Sequence, residues 1–205
     1  MKQTLKSSNY IILYVVLAAF IAIIALFIGA GNALSSQNEQ QIKPPEAIFN
    51  SSVDVINHKG QQIPFPSLDF MDMSDEIVSS DSFKGQYRLI NIWASWCGPC
   101  LVEIPSLLDL EEELGAEKLD VVFVSFDFPE NADGLRTLMR RHNKNIFDSL
   151  YTKGDDVWGA LSVQALPMSY LVNPQGNIDY IYVGEVQWNS PKVVAHFKSI
   201  ISNSQ

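Results

Sequence analysis

Cysteine is nearly absent from this chain: among 205 residues there are two, Cys97 and Cys100. So few exclude a disulfide scaffold, which spreads several cysteines over a small domain. They also exclude a structural zinc site, which takes about four ligands. Histidine is scarce too; His58, His142 and His196 are scattered, none lies beside the cysteines in sequence, and all three read as surface residues. Positive charge is short, with 14 Lys and Arg against 23 Asp and Glu. Lys2 and Lys6 precede residue 30 and every acidic residue follows it, so the remainder carries 12 − 23 = −11. A body that acidic repels phosphate backbones, which excludes nucleic acid as a partner. The excess acid serves solubility.

Charge is missing altogether from Ile11 to Ala30, where nearly every residue is apolar. Twenty residues at ~1.5 Å each span roughly 30 Å, the hydrocarbon thickness of a bilayer. Lys2 and Lys6 come before the run and Glu39 is the first charge after it. The positive-inside bias then puts the N-terminus in the cytoplasm and the acidic body on the far side. Gly31-Asn32-Ala33 offers a signal-peptidase-like alternative, but signal h-regions run ~7–15 residues and this one is longer. Residues 1–34 therefore read as a cytoplasmic stub and transmembrane signal-anchor. Residues 35–52, polar and stiffened by Pro44-Pro45, read as a linker, and 53–205 as one domain.

Within the domain, Val53–Asn57 and the residues past the His58-Lys59-Gly60 turn are expected to form a hairpin. Ser67–Phe70 and Glu76–Val78 suggest a second one. The pattern then alternates. Leu89–Trp93 and Val121–Ser125 are apolar runs suited to strands buried on both faces. Helical stretches run over 99–114, 132–142 and 155–161. Met168–Val172 and Ile178–Val183 flank Asn173-Pro174-Gln175-Gly176, a type I turn signal. Ser190-Pro191 opens a last helix as N-cap and first-turn proline. The order β-α-β-α-β-β-α predicts parallel strands joined by crossovers and a closing antiparallel hairpin: an α/β fold with a mixed sheet.

Trp96-Cys97-Gly98-Pro99-Cys100 falls where a strand ends and a helix begins. A thiolate there meets the positive end of the helix dipole and unpaired backbone N–H groups, which depress its pKa. Cys97, at the open end, is the expected nucleophile. Cys100, one turn in and shielded, is placed to resolve the mixed disulfide. Gly98 allows close approach of a partner chain, and Pro99 starts the helix with no N–H to leave unpaired. Trp93 and Trp96 are expected to pack, and Trp96 also to shape the substrate surface.

The WCGPC motif behind the strand segment LINIWAS resembles the thioredoxin superfamily. Pro105 lies where thioredoxins carry a helix-kinking proline. Ala165-Leu166-Pro167-Met168 resembles the family's cis-proline loop, which faces the dithiol and pairs with substrate backbone. The resemblance extends from about Pro66 to the C-terminus. It implies a thioredoxin fold, a mixed central sheet flanked by helices, here with extra N-terminal strands and one preceding transmembrane helix. Asn91 stands where thioredoxins bury an Asp, six residues before the first cysteine. Glu103, three residues past Cys100, matches the glutamate of the TlpA/ResA-like and cytochrome-maturation branch. That branch implies an extracytoplasmic, membrane-anchored reductant of protein disulfides, apocytochrome c among them, fed by a membrane electron-donor thiol protein.

The residues expected to carry the chemistry are then Cys97, Cys100, Glu103 and Pro167, with Trp96, Gly98, Pro99 and Leu166 meeting substrate. No cofactor is expected beyond the redox-active disulfide, and no metal. Three function classes compete: a reductase, an oxidase or isomerase of the same fold, and a copper-handling module. The Gly-Pro dipeptide is that of thioredoxin, whose potential of ~−270 mV contrasts with ~−120 mV for the oxidant DsbA. Copper handling would want a third soft or imidazole ligand near the thiols, and the sequence offers none. The topology has its own test. Mass spectrometry of the protein from membranes should find residues 1–33 retained; a mature chain starting near Leu34 would contradict the anchor.

Overall fold

The computed structural model describes residues 48–49, 52–142, 147–152, 154 and 156–202. The apolar run 11–30 and residues 35–47 of the linker lie outside them. Among the described residues no helix is long and apolar enough to cross a membrane. The chain divides into two compact units, and the second, Pro44–Gln205, holds all the described residues.

Among the described residues seven strands and four α-helices build that unit: β1 (Asp54–Asn57), β2 (Asp69–Met71), β3 (Ile77–Ser79), β4 (Tyr87–Trp93), α1 (Gly98–Leu114), β5 (Leu119–Ser125), α2 (Ala132–His142), α3 (Asp156–Leu161), β6 (Met168–Val172), β7 (Ile178–Val183) and α4 (Pro191–Ser202). The main sheet runs β1-β7-β6-β4-β5, and β2-β3 form a separate hairpin. This is a thioredoxin-like α/β fold.

Within the sheet β4 lies between β6 and β5, and strand alternation explains the layers. Leu89 and Trp93 point into one core, with Leu107 and Leu110 of α1, Leu135 of α2 and Phe197 of α4. Ile90 and Ile92 point into the other, with Val157, Trp158 and Leu161 of α3 and Phe70 and Phe83 from the hairpin region. Asn91 shares the first face with Leu89 and Trp93, under α1, and is fully buried there. The same alternation that fills the core thus carries one polar side chain beneath the helix that holds the cysteines.

Three expectations need correction. The first N-terminal hairpin does not form: β1 pairs antiparallel with β7, Asp54 opposite Val183. Beyond the turn, Gln62 takes positive φ and Pro64 and Pro66 lack N–H groups, so the segment cannot make a ladder with β1. It follows β7 and its turn instead, through Ile178 N to Ile63 O and Phe65 N to Gly176 O. Second, only β4 and β5 are parallel within the main sheet. An extended pass, bridging Leu150 in parallel to Val124, precedes α3, so β6 enters antiparallel to β4. Third, His196 is half-buried, set edge-on against Phe49, Tyr180 and Phe197. Phe49 itself is buried, so the packed body starts ahead of Val53.

Candidate active site

The β4–α1 junction is built before any sulfur is considered. After Trp93 the chain turns, with Cys97 N donating to Ala94 O at 3.1 Å. Asp127, buried just past β5, clamps the turn: its carboxylate accepts from Ser95 N at 2.8 Å and from the Ser95 hydroxyl at 3.0 Å. Ser125 holds Asp127 in turn, its hydroxyl donating at 2.9 Å. Neighbouring parallel strands therefore fix the loop from one side. α1 then starts at Gly98, with Pro99 in its first turn. Cys97 is the N-cap, and its sulfur accepts from Cys100 N at 3.3 Å.

Cys97 and Cys100 are joined as a disulfide, with Cα atoms 5.3 Å apart. Cys100 is fully buried and Cys97 is 6% exposed, so of the two only Cys97 retains surface open to solvent. When the bond is reduced, a thiolate at Cys97 inherits the N-cap position, where backbone N–H groups and the helix dipole favour negative charge.

One turn beyond Cys100, Glu103 is buried at 2% exposure. Its carboxyl is surrounded by donors from two directions. Asn91 Nδ2 donates to Oε1 at 2.7 Å and also to the Ser169 hydroxyl at 2.9 Å, Ser169 being the register partner of Asn91 on β6. Val186 N and Trp188 Nε1 donate to Oε2 at 3.0 and 3.1 Å. Burial nevertheless prevails over these bonds and pushes the Glu103 pKa up to about 7. A carboxyl titrating there can give or take a proton near neutral pH.

The Leu166–Pro167 peptide is cis, the form expected of this loop. Leu166 lines a groove of about 480 Å³ with Cys97 in its wall. Trp96, Phe126, Val163 and the Gly98-Pro99 pair complete its apolar part. Trp96 is 62% exposed and so belongs to this surface, whereas Trp93 is in the core and donates to Ser149. Phe126 leans on Trp158 and Phe128, which stands 52% exposed. A second cleft of about 450 Å³ between the β2–β3 hairpin and β5 contains no cysteine, and its Arg88 is engaged by Asp120 and the Phe83 ring. Of the two, the groove beside Cys97 is the one that borders the disulfide.

The residues singled out in the sequence thus fall into two places. Trp96, Cys97, Gly98, Pro99 and Leu166 border the groove. Cys100, Glu103 and Pro167 are buried behind it. Sequence reasoning missed Asp127, Ser169, Val186 and Trp188. Asp127 just past a strand end is a faint signal; a backbone amide and a tryptophan from the far end of the chain give none.

A Cys-x-x-Cys pair at the start of a helix in a thioredoxin-like fold defines a thiol–disulfide oxidoreductase. The comparisons agree: the AhpC/TSA family profile matches residues 60–181, and the chain belongs to that family of thioredoxin-like proteins. It is 33% identical to the thioredoxin-like protein YneN of Bacillus subtilis, over 65% of this chain and 76% of that protein. It is 29% identical to the thiol:disulfide interchange protein HelX of Rhodobacter capsulatus, over 76% of this chain and 79% of that one. Among solved structures, a DsbF homologue from Corynebacterium diphtheriae superposes with a TM-score of 0.55 at 19% identity, over 74% of this chain and 92% of the other.

The raised Glu103 pKa has a measurable consequence for stability. An unfolded glutamate titrates near 4.5 and the folded one at about 7, so between these values the unfolded chain sheds its proton first. Stability is then lost as pH rises across that window, by about 3 kcal/mol, and stays level above it. The oxidised protein suits the measurement because its cysteines do not titrate. Denaturant melts at pH 4.5 and 8 should show this loss in the wild type and a much smaller one in Glu103→Gln. An equal loss in both would contradict the assignment.

Proposed function

We propose that this protein reduces disulfides in other proteins outside the cytoplasm, with Cys97 as nucleophile and Cys100 as resolving thiol. The observation that carries the reading is the position of the two sulfurs: Cys97 caps α1 in the wall of the apolar groove, and Cys100 is sealed behind it. In the dithiol form the Cys97 thiolate attacks a substrate disulfide, forming a mixed disulfide and expelling one substrate thiolate. Glu103, as carboxylate, then takes the proton of Cys100. The Cys100 thiolate attacks Cys97 Sγ and expels the second substrate thiolate, leaving the Cys97–Cys100 disulfide. Two electrons pass to the substrate, and a dithiol protein at the membrane must return two.

The groove supports a protein substrate. Trp96 and Leu166 offer apolar contact on either side of Cys97, suited to a chain segment laid across the sulfur. A Cβ on Gly98 would meet nothing within 4 Å, so no internal packing calls for glycine there and bare backbone is left for a partner's approach. Pro167, cis-bonded to Leu166 and leading into β6, is the residue to which the resemblance assigns pairing with substrate backbone. Reducing direction is supported by the Gly-Pro dipeptide, and apocytochrome c as one substrate by the resemblance to the TlpA/ResA-like branch. The relatives' names, which speak of thiol:disulfide interchange and oxidoreductase activity, agree with the chemistry at this coarser level.

The uncharged run 11–30 supports the localisation: residues 1–34 are a cytoplasmic stub and transmembrane signal-anchor, 35–52 a linker and 53–205 the thioredoxin-like domain on the periplasmic or extracytoplasmic side. Among the described residues no group of three or more His, Cys, Asp or Glu is placed to hold a metal ion.

Trapping tests the roles of the sulfurs. Cys100→Ser keeps the nucleophile and removes the resolver, so it should accumulate mixed disulfides with its partners on non-reducing gels, while Cys97→Ser should trap few. Equal trapping by both variants would overturn the assignment. Mass spectrometry of the trapped partners distinguishes apocytochromes from a general set of secreted proteins.

A further inference from the structure

The segment after β7 has no part in the steps above, yet it runs from the cis-proline to the buried acid. Gly184 opens it, with a φ of +109° and a virtual Cβ only 2.6 Å from Ser52 O, so no other residue fits without a shift. Gly184 N donates to Pro167 O at 2.9 Å. Two residues on, Val186 N reaches Glu103 Oε2, and Trp188 Nε1 reaches the same oxygen. Trp188 N also donates to the Ser106 hydroxyl at 3.2 Å, and that hydroxyl donates to Glu103 O at 2.8 Å. Trp188 is therefore stitched to α1 both at the acid and one turn beyond it.

We infer that Trp188 is a positioning residue for the dithiol: its indole N–H, with the amide of Val186, fixes the Glu103 carboxylate as acceptor of the Cys100 proton. The inference rests on Glu103 having that acceptor role.

Packing alone does not account for this residue. Its ring fills space between Tyr182, at 5.3 Å, and Phe197, at 5.9 Å, which a phenylalanine could share. A fully buried indole needs a partner for its N–H, and this one is spent on the one oxygen that the sheet side does not supply. Charge-assisted bonds of this kind favour the ionised form. The other groups acting on the Glu103 carboxyl are Asn91 from β4 and Glu185, whose charge opposes ionisation, while on its own helix Ser106 bonds the Glu103 backbone carbonyl and the disulfide-bonded Cys100 lies one turn back. Trp188 thus works with Asn91 and Val186 against burial and Glu185. Without its donor, Glu103 holds its proton to higher pH and accepts one from Cys100 only at higher pH.

The test compares wild type with Trp188→Phe and with benzothienylalanine placed at position 188, which keeps the indole shape without the donor. Two quantities are read on the full chain. One is the titration midpoint of the Glu103 carboxyl, followed by carbon NMR of labelled glutamate and assigned with Glu103→Gln. The other is the pH–rate profile for single-turnover reduction of a model peptide disulfide. Both variants should raise the midpoint by about one pH unit, and the acidic limb of the rate profile should move up with it. A midpoint unchanged in the benzothienylalanine protein would reduce Trp188 to packing and overturn the inference. A midpoint that moves while the rate profile stays in place would overturn instead the acceptor role of Glu103 on which the inference stands.

Discussion

A carboxyl group buried one turn from a buried sulfur is the constraint on which much of this structure turns. Taking Glu103 out of water favours its neutral form, and the site answers with N–H donors far apart in the sequence. Asn91 comes from β4, Val186 and Trp188 from the segment before the last helix. Satisfying one acid therefore ties β4, β6, α1 and the C-terminal segment together. The balance leaves Glu103 near neutrality, where a proton can move in either direction.

The sulfurs depend on a second, simpler arrangement. Parallel pairing of β4 with β5 brings Ser95 against Asp127, which fixes the turn leading to Cys97. From there the helix N-terminus supplies the electrostatics, because Cys97 occupies the cap itself. Burial then separates two chemically identical sulfurs: Cys97 borders the groove and Cys100 is sealed behind it. The groove beside them is largely apolar, and Trp96 in its wall and Phe128, packed on Phe126, stay exposed.

Local signals in the sequence carried far. The apolar runs at β4 and β5, the Asn-Pro-Gln-Gly turn, the Ser-Pro helix start and the Cys-Gly-Pro-Cys junction each state their structure within a few residues, and the elements form there. Glu103 was legible as a residue of interest from the resemblance to the TlpA/ResA-like branch together with its spacing to Cys100. Its burial was not, since that depends on Asn91, Val186 and Trp188 converging from residues 12 to 85 positions away. Strand partners failed for the same reason. Nothing in Asp54–Asn57 says that its ladder lies with β7 rather than with the residues that follow it. Direction of β6 likewise hinged on an extended pass at Leu150 too short to read as a strand.

The central claim is that Cys97 and Cys100 form a reducing couple. Its reduction potential, from equilibration of the soluble domain with dithiothreitol at neutral pH, tests that claim most directly. The account requires a value well below the ~−120 mV of DsbA and toward the ~−270 mV of thioredoxin. A value near ~−120 mV would contradict it and make the protein an oxidant of other proteins' thiols.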